Sequence, residues 1–244
     1  MRIALISDIH GNAVSLGAVL ADADAVGVDR IVCLGDVATL GPDPDIAVEL
    51  VAERCATIIT GNHEDFLLEP GSVHSYTDVV PVLHAIDWCA AELSADHLAV
   101  LRTSVATVAM PLGTASLFAF HGTPRSNREN LLACTGAGEV DAMLGGRRAT
   151  VLTGGHTHLP LLRRHGDTLL LNPGSVGMPF AEFVNGGRPT LLPCAEYAVI
   201  EDRPDGTVRV DLRRVEVSVT DLIRAASRRD YPFAEALLQE YARF

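Results

Sequence analysis

The sequence predicts an α/β fold, partly of α+β character, in which two β-sheets pack against each other within one domain. Over residues 2–59, short apolar runs alternate with helical stretches, a pattern typical of parallel strands that are buried on both faces. From residue 104 onward, strand-like runs follow one another with few helical breaks. No linker or repeat separates the two halves, so we expect a single domain over residues 1–244.

The first half contains three predicted strands and two predicted helices. The strands are the apolar runs at 2–7, 30–34 and 56–59. In the first helix, apolar residues recur at helical spacing after Asn12, whose side chain suits a helix cap. The second helix begins at Asp43, because a capping residue followed by proline is typical of a helix start. Together these elements predict a β-α-β-α-β unit.

The second half begins with predicted helix over residues 77–103 and continues with predicted strands. Five strand-like runs come next, at 104–110, 115–120, 149–153, 159–164 and 167–172. A turn signal at 203–207 then joins two further strands, near 196–202 and 207–217. Helical segments close the chain.

Irregular backbone is expected at three places in this half. In the last strand the apolar positions change parity, which predicts a β-bulge near Arg213 and Arg214. Residues 122–138 and 177–190 are rich in Gly, Pro and Asn, so we expect both segments to be loops. Both come shortly before or after candidate functional residues, and we therefore expect them to lie beside the functional site.

The composition excludes several classes of protein. A net charge of −12 disfavours nucleic acid polymers, because their binding depends on cationic contacts to many phosphates. All 19 basic residues are Arg, which excludes a Walker-type phosphate loop and a Schiff-base lysine. The sequence also lacks a G-x-S-x-G elbow and a Gly-rich turn after the first strand, so an α/β-hydrolase and a flavin or nicotinamide enzyme are unsupported. No signal peptide or bilayer-spanning run is evident, and we expect a cytoplasmic protein without a membrane partner.

Candidate metal ligands follow the carboxyl ends of predicted strands, the edge where open α/β sheets bind their ligands. They are Asp8, His10, Asp36, Asn62, His121, His156 and His158, and a further histidine, His63, follows Asn62 directly. Each of them alone has an ordinary interpretation, since Asp is a common turn former or helix cap and a single His is usually structural. Their order along the chain, always after an apolar run, instead predicts one shared metal site.

The five motifs D-x-H, G-D, G-N-H-E, a lone His and G-H-x-H span residues 8–158 and resemble the signature of the calcineurin-like metallophosphoesterases. Asn12 in DIHGN, the segment GDVATLGPDP and NPGS at 172–175 are similar to the bacterial branch of small phosphodiesterases related to YfcE. This resemblance implies a four-layer α-β-β-α sandwich of two mixed sheets with flanking helices. It also implies hydrolysis of phosphoric esters.

The ligand set itself indicates the kind of metal site. Carboxylate, imidazole and amide donors without thiolates suit Mn, Fe, Zn or Mg, and seven protein ligands are too many for one such ion that also binds water. We therefore expect two divalent metal ions, with Mn favoured and Fe, Zn, Ni and Mg as alternatives. The resemblance implies one metal held by Asp8, His10 and His158, a second held by Asn62, His121 and His156, and Asp36 between them. It also implies a hydroxide between the metals as the nucleophile.

His63 is the expected catalytic residue. The resemblance places the His of G-N-H near the leaving group, where it acts as a general acid or stabilises charge; the alternative is a structural His behind the ligands. The phosphoprotein phosphatase branch has an Asp that orients this His and an Arg that binds phosphate, and here Thr39 and Leu40 replace them. Protein phosphatase and symmetrical dinucleotide hydrolase activities are therefore disfavoured, and His63 must be oriented by another residue.

The sequence thus predicts a dinuclear metal-dependent phosphodiesterase that acts on small phosphodiesters or nucleotides. One alternative is a diadenosine tetraphosphate hydrolase, and another is a metal-binding scaffold of the same fold without activity. The expected partner is a small phosphorylated substrate and no nucleic acid polymer. Candidate substrate contacts are Asn12, Arg125 and Asn172, together with Arg128.

Overall fold

The structure is a computed structural model that describes residues 1–69, 71–184 and 186–244. Within these residues the chain forms ten strands in two five-stranded mixed sheets, eight α-helices and one short 3-10 helix. Helices cover the outer faces of both sheets. This arrangement confirms the predicted four-layer α-β-β-α sandwich.

The first sheet has a parallel centre and an antiparallel edge. Its strands are β1 (Arg2–Ile6), β2 (Arg30–Cys33), β3 (Thr57–Ile58), β9 (Cys194–Asp202) and β10 (Val208–Glu216), in the order β10-β9-β1-β2-β3. β1, β2 and β3 are parallel to one another, whereas β9 and β10 are antiparallel to their neighbours. The predicted β-α-β-α-β unit therefore forms the parallel part of this sheet.

The second sheet comes from the strand-rich half of the chain. Its strands are β4 (Val108–Leu112), β5 (Ala115–Ala119), β6 (Val151–Thr153), β7 (Leu161–His165) and β8 (Thr168–Asn172), in the order β4-β5-β6-β8-β7. β5, β6 and β8 are parallel, and the two outer strands are antiparallel to them. Each sheet thus has a group of parallel strands whose carboxyl ends share one edge.

Most helices pack on the outer face of the first sheet. The α-helices are α1 (Ala13–Val26), α2 (Pro44–Arg54), α3 (Asn62–Leu68), α4 (Val80–Glu92), α5 (Ala95–Leu101), α6 (Ala137–Leu144), α7 (Val219–Arg228) and α8 (Ala234–Tyr241), and the 3-10 helix is Ser72–Ser75. Among the described helices, α6 alone covers the second sheet, where Val140 and Met143 pack against Phe118 and Leu152. None of the helices in the described ranges is long and apolar enough to cross a membrane.

The continuous apolar run of β1 reflects burial on both faces. Ala4 and Ile6 pack into the core beneath the helices, whereas Ile3 and Leu5 pack into the core between the two sheets. Successive side chains of a strand point to opposite faces, so a strand between two apolar layers needs apolar residues at every position. Because both faces of β1 are packed, the strand holds the D-x-H motif that follows it in a fixed position at the end of the sheet.

The predicted helix starts have different outcomes. The Asn12 cap is confirmed, because its Oδ1 accepts a hydrogen bond from the backbone N–H of Ser15. Asp43 precedes α2 as expected but makes no capping hydrogen bond with its side chain. Its Oδ1 instead accepts a hydrogen bond from Arg228 Nη2 at 2.7 Å, which ties the start of α2 to α7.

The predicted bulge near Arg213 and Arg214 is wrong. β10 pairs with β9 without interruption over its whole length. Val208 and Val210 pack into the core between the sheets, whereas Val215 packs into the core beneath the helices. The parity of apolar residues changes because the two faces of this edge strand are covered at opposite ends of the strand.

Candidate metal centre

The predicted ligands converge at the edge where the parallel strands of both sheets end. They follow β1, β2 and β3 in the first sheet and β5 and β6 in the second. Six of them are buried and His156 is half-buried; the buried ones are Asp8, His10, Asp36, Asn62, His121 and His158. Residues that are up to 150 positions apart in sequence, such as Asp8 and His158, thereby share one small volume.

Asp8, His10 and His158 form the first group of potential ligands. The Nε2 atoms of His10 and His158 are 3.0 Å apart, and His158 Nε2 lies 3.3 Å from Asp8 Oδ1. Two atoms that bind one ion at about 2.1 Å and at right angles are themselves about 3 Å apart. The spacing of this group therefore suits a single metal ion.

Asp36, His121 and His156 form the second group. His121 Nε2 lies 3.3 Å from Asp36 Oδ2. The same Oδ2 is 3.8 Å from Nε2 of His10, which belongs to the first group. One oxygen of Asp36 therefore faces both groups.

Asn62 tests whether these residues fit a metal. It is 1% exposed, and neither its Oδ1 nor its Nδ2 has a hydrogen-bond partner in the described part of the chain. Asp8 Oδ1 in the first group is also buried without such a partner. Buried polar atoms without a partner are costly unless a ligand satisfies them. Oxygen and nitrogen donors without thiolates are the ligands that Mn, Fe, Zn and Mg accept, so the residues fit divalent metal ions.

Backbone carbonyls orient two of the histidines. The Nδ1 atoms of His121 and His158 lie 2.7 Å from the carbonyl oxygens of Leu34 and Met178 respectively. A carbonyl oxygen can only accept, so Nδ1 carries the proton and donates it. In each neutral ring Nε2 keeps a free lone pair directed at the carboxylates, which is how metal-binding histidines are usually prepared.

The backbone at the ligands is unusual. Six described non-glycine residues have positive φ: Asp8, His10, Asp36, Leu40, His156 and His158. Five of these are predicted ligands, with φ between 49° and 69°. Left-handed backbone costs about 1–3 kcal/mol for such residues and persists where surrounding structure enforces it, often at functional sites. The two side chains of D-x-H therefore face the site from left-handed backbone beyond the end of β1.

Without metal, burial and the neighbouring charged groups shift the pKa values of the histidines in the site. Burial and the neighbouring His158 lower the pKa of His10 to about 3, and burial and His121 lower the pKa of His156 to about 4. Burial also opposes the charge on His121, but Asp36 outweighs it and raises the pKa of His121 to about 10. Metal ions must displace such protons, so metal affinity falls as the pH falls.

Comparison with known proteins identifies the family. Residues 1–189 match the family model described as calcineurin-like phosphoesterase superfamily domain. The chain belongs to this superfamily. The superfamily is the one that the five motifs predicted, and membership of it supports a hydrolase.

Several relatives of this phosphoesterase match over nearly the whole chain. A metallophosphoesterase structure from Sphaerobacter thermophilus is 30% identical, with a TM-score of 0.75, and the match covers 99% of this chain and 98% of that one. The hypothetical protein PH1004 from Pyrococcus horikoshii shares the fold, with 17% identity, a TM-score of 0.79 and 98% and 96% coverage. The uncharacterized protein MJ0912 of Methanocaldococcus jannaschii is 27% identical over 232 residues, which are 89% of this chain and 88% of the relative.

Thr39 is a site residue of this phosphoesterase that the sequence did not reveal. Its Oγ1 lies 2.5 Å from Nδ1 of His63, and both side chains are buried. The backbone N–H of His63 also donates to Asp36 Oδ1 at 2.9 Å. A hydroxyl residue therefore contacts the ring nitrogen at the position where the phosphoprotein branch has its orienting Asp. The available signal in the sequence was a hydroxyl residue, Thr39, directly after the four residues of G-D-x-x.

Glu64, the last residue of the G-N-H-E motif, fastens two ligand-bearing turns together. Its carboxylate accepts hydrogen bonds from the backbone N–H groups of Asp36, Val37 and Gly61, each at 2.8 Å. Gly61 has to be glycine here, because a Cβ on it would lie 2.1 Å from Asp36 Oδ1. The motif thus contains one residue and one glycine whose roles appear only when the turns meet.

The predicted substrate contacts have structural partners. Asn12 caps α1 and donates from Nδ2 to the Gly177 carbonyl at 3.0 Å. Asn172 Nδ2 donates to the Gly155 carbonyl at 2.7 Å and thereby holds the loop that carries the G-H-x-H motif. Arg125 is exposed and pairs with Glu129 at 2.7 Å. Contact of these residues with substrate stays a prediction.

Proposed function

We propose that the protein is a phosphodiesterase that binds two divalent metal ions and hydrolyses small phosphodiesters. The observation that carries the proposal is the position of Asp36 Oδ2, which faces both ligand groups at 3.3 Å from His121 and 3.8 Å from His10. A carboxylate between two groups suits a pair of ions roughly 3.5–4 Å apart. When bound, such ions activate water and polarise the phosphoryl group. Membership of the phosphoesterase superfamily supports the same activity.

The protein residues divide the work around this pair. Asp8, His10 and His158 would hold one ion, and Asn62, His121 and His156 the other, with Asp36 shared. These side chains fix the substrate phosphate at the carboxyl edge of both sheets. Leu34 and Met178 keep two of the imidazoles in the ligating tautomer through their carbonyl oxygens.

His63 would stabilise charge on the leaving oxygen. Burial lowers the pKa of His63, so its ring is held neutral. If the Thr39 hydroxyl donates to Nδ1, the remaining ring proton sits on Nε2, which lies 4.0 Å from Asp36 Oδ2 and faces the ligand groups. A neutral imidazole in this tautomer can donate a hydrogen bond from Nε2 and so would stabilise the negative charge that develops on the leaving oxygen.

Turnover is expected to require divalent metal. Removing metal from the purified protein by exhaustive chelation should abolish hydrolysis of an aryl phosphodiester such as bis(4-nitrophenyl) phosphate. Adding Mn should restore it, and Fe, Zn, Ni and Mg are the alternatives to compare. Full activity in protein that elemental analysis proves metal-free would contradict the proposal, and metal binding without turnover of any diester would favour a scaffold.

The expected substrates are small diesters. Three features support this class: the net charge of −12, the absence of the Asp-Arg pair at Thr39 and Leu40, and the likeness of the NPGS motif to the small phosphodiesterase branch. The test compares kcat/KM for an aryl phosphodiester, diadenosine tetraphosphate, a phosphopeptide and single-stranded DNA at near-physiological salt. We expect the first two to be hydrolysed best. A tenfold preference for the phosphopeptide or the DNA would overturn this substrate class.

A further inference from the structure

The metal-ligand groups open onto a cleft of about 770 Å³. Clefts of roughly 300–1,000 Å³ typically bind small organic molecules. The ligand groups themselves line only part of it, through residues such as His10, Asp36 and Asn62. A phosphate on the metals would therefore leave most of the cleft to the organic part of the substrate.

Three segments from distant parts of the chain form the walls of this cleft. They are the segment that leads into α4 and its first turn, with Tyr76, Val79 and Val82, the loop with Met178, Phe180 and Leu191, and the C-terminal region with Phe233 and Leu237. Tyr76 is 46% exposed and Val79 is 49% exposed, although both are apolar and line the cleft. Exposed apolar side chains that line a pocket usually mark a binding surface.

The walls of the cleft, where the structure describes them, carry few charged residues, and the one cation among them is already hydrogen-bonded. Away from the ligand groups, the charged residues that line the cleft are Arg188, Glu235 and Glu240. Arg188 is already engaged: it donates to Gln239 Oε1 at 2.9 Å and to the Ala236 carbonyl, and it lies 3.9 Å from Glu240 Oε1. These contacts hold the loop against α8. In the described ranges, the cleft walls therefore carry one positive and two negative charges, a balance that disfavours a second phosphate.

Another cation, Arg128, packs behind the wall of the cleft. Its guanidinium stacks over the rings of Phe66 and Tyr76, at 5.2 and 5.8 Å from their centroids, and donates to Ser75 Oγ. It supports the Tyr76 ring and does not line the cleft itself. Apart from the metal-ligand groups, the cleft therefore presents mainly apolar side chains.

We propose that this cleft binds the organic group of the substrate and that this group is large, apolar and uncharged, such as an aryl or alkyl substituent. The inference rests on the proposed function and names the substrate class of that same site. Among the small substrates of the proposed function, it ranks diadenosine polyphosphates below aryl and alkyl diesters, since their further phosphates would be buried against walls that carry two carboxylates and one Arg already bonded to α8. Apolar contact with walls such as Val79 and Phe233 supplies the binding energy instead.

The test measures binding of single phosphonates to the Mn-loaded protein by calorimetry. Methyl-, butyl- and hexylphosphonate share one anionic group and differ only in apolar length. We expect the affinity to rise about two- to fourfold per methylene, the effect of burying a methylene group. Hexane-1,6-diphosphonate has the same chain with a second anion, and we expect it to bind at least tenfold more weakly than hexylphosphonate. Affinity that is independent of chain length, or a diphosphonate that binds as tightly, would overturn the proposal.

Two neighbouring valines provide matched variants. Val79 lines the cleft, whereas Val80 is 54% exposed and does not line it. Val79 caps α4 and Val80 begins it, so aspartate is compatible with the helix at both positions. Val79→Asp should weaken hexylphosphonate at least fivefold and leave methylphosphonate nearly unchanged, and Val80→Asp should change both less than twofold. Equal effects of the two variants would contradict the assignment of the cleft.

Calorimetry separates this inference from the proposed function because it requires no turnover. Binding that follows chain length in a protein that hydrolyses no diester would overturn the proposed function and support the cleft assignment. Hydrolysis of diesters together with affinities that ignore chain length would overturn the cleft assignment alone.

Discussion

Asp36→Ala is expected to reduce turnover by about 10³-fold or more, since metal polarisation contributes several kcal/mol to such reactions. Asp36 Oδ2 faces both ligand groups, and its charge would offset the mutual repulsion of two ions. Its loss should release at least one of the two metals. Elemental analysis of the purified variant, together with kcat for an aryl phosphodiester, measures both effects. Full occupancy by two metals would rule out the bridging role.

Asp36→Asn is the matched control for the fold of the turn. Asp36 Oδ1 accepts a hydrogen bond from the His63 backbone N–H at 2.9 Å, and asparagine keeps an acceptor at that position while losing the negative charge. We expect the asparagine variant to lose metal as the alanine variant does, with circular dichroism like that of the parent protein. Metal loss in the alanine variant alone would assign the effect to the broken turn instead of the missing charge.

His63→Ala is expected to lower kcat by roughly 10²–10⁴-fold, the usual contribution of a positioned acid–base group. Metal content should remain near two ions, because the proposed ligand at this turn is the neighbouring Asn62. The measurement matters because His63 Nε2 lies 4.0 Å from Asp36 Oδ2 and could also reach a metal. Metal lost in proportion to activity would make His63 a ligand.

Variants of Thr39 test how His63 is held. Thr39→Val has nearly the same shape but lacks the hydroxyl that lies 2.5 Å from His63 Nδ1, so it should lower kcat with little change in metal content or KM. Thr39→Ser keeps the hydroxyl and should restore most of kcat. If Thr39 acted only through packing of its methyl group, which valine keeps and serine lacks, the serine variant would be the slower of the two. A serine variant as slow as the valine variant would therefore contradict the positioning role.

The sequence by itself determined the strands and the chemistry of the site. The apolar run of β1 had to be a doubly buried strand, since a half-exposed strand would alternate. The types of the candidate ligands were readable because divalent metal ions need carboxylate, imidazole or amide donors in any fold. Their order after successive strands placed them at one sheet edge, because parallel strands end on the same side.

Contacts between turns of different strands were decided only by the tertiary structure. The Thr39 hydroxyl contacts His63, and Glu64 accepts from Asp36, only after β2 and β3 pair and bring their turns together. The same holds for Asn172, a predicted substrate contact, whose hydrogen bond to the Gly155 carbonyl also depends on two turns that meet only in the folded structure. A residue type states which bonds a side chain can make and not which partner it meets.

The cleft and the edge strand β10 also show what local sequence patterns do not predict. Val79, Phe180 and Phe233 lie far apart in the sequence, and each alone resembles an ordinary apolar residue. The apolar parity change in β10 suggested a bulge, although it arises because different layers cover the two ends of the strand. Local patterns report how a residue relates to its own helix or strand. Which surface covers that residue depends on contacts between distant segments, and these are fixed only when the two sheets and the C-terminal helices pack together.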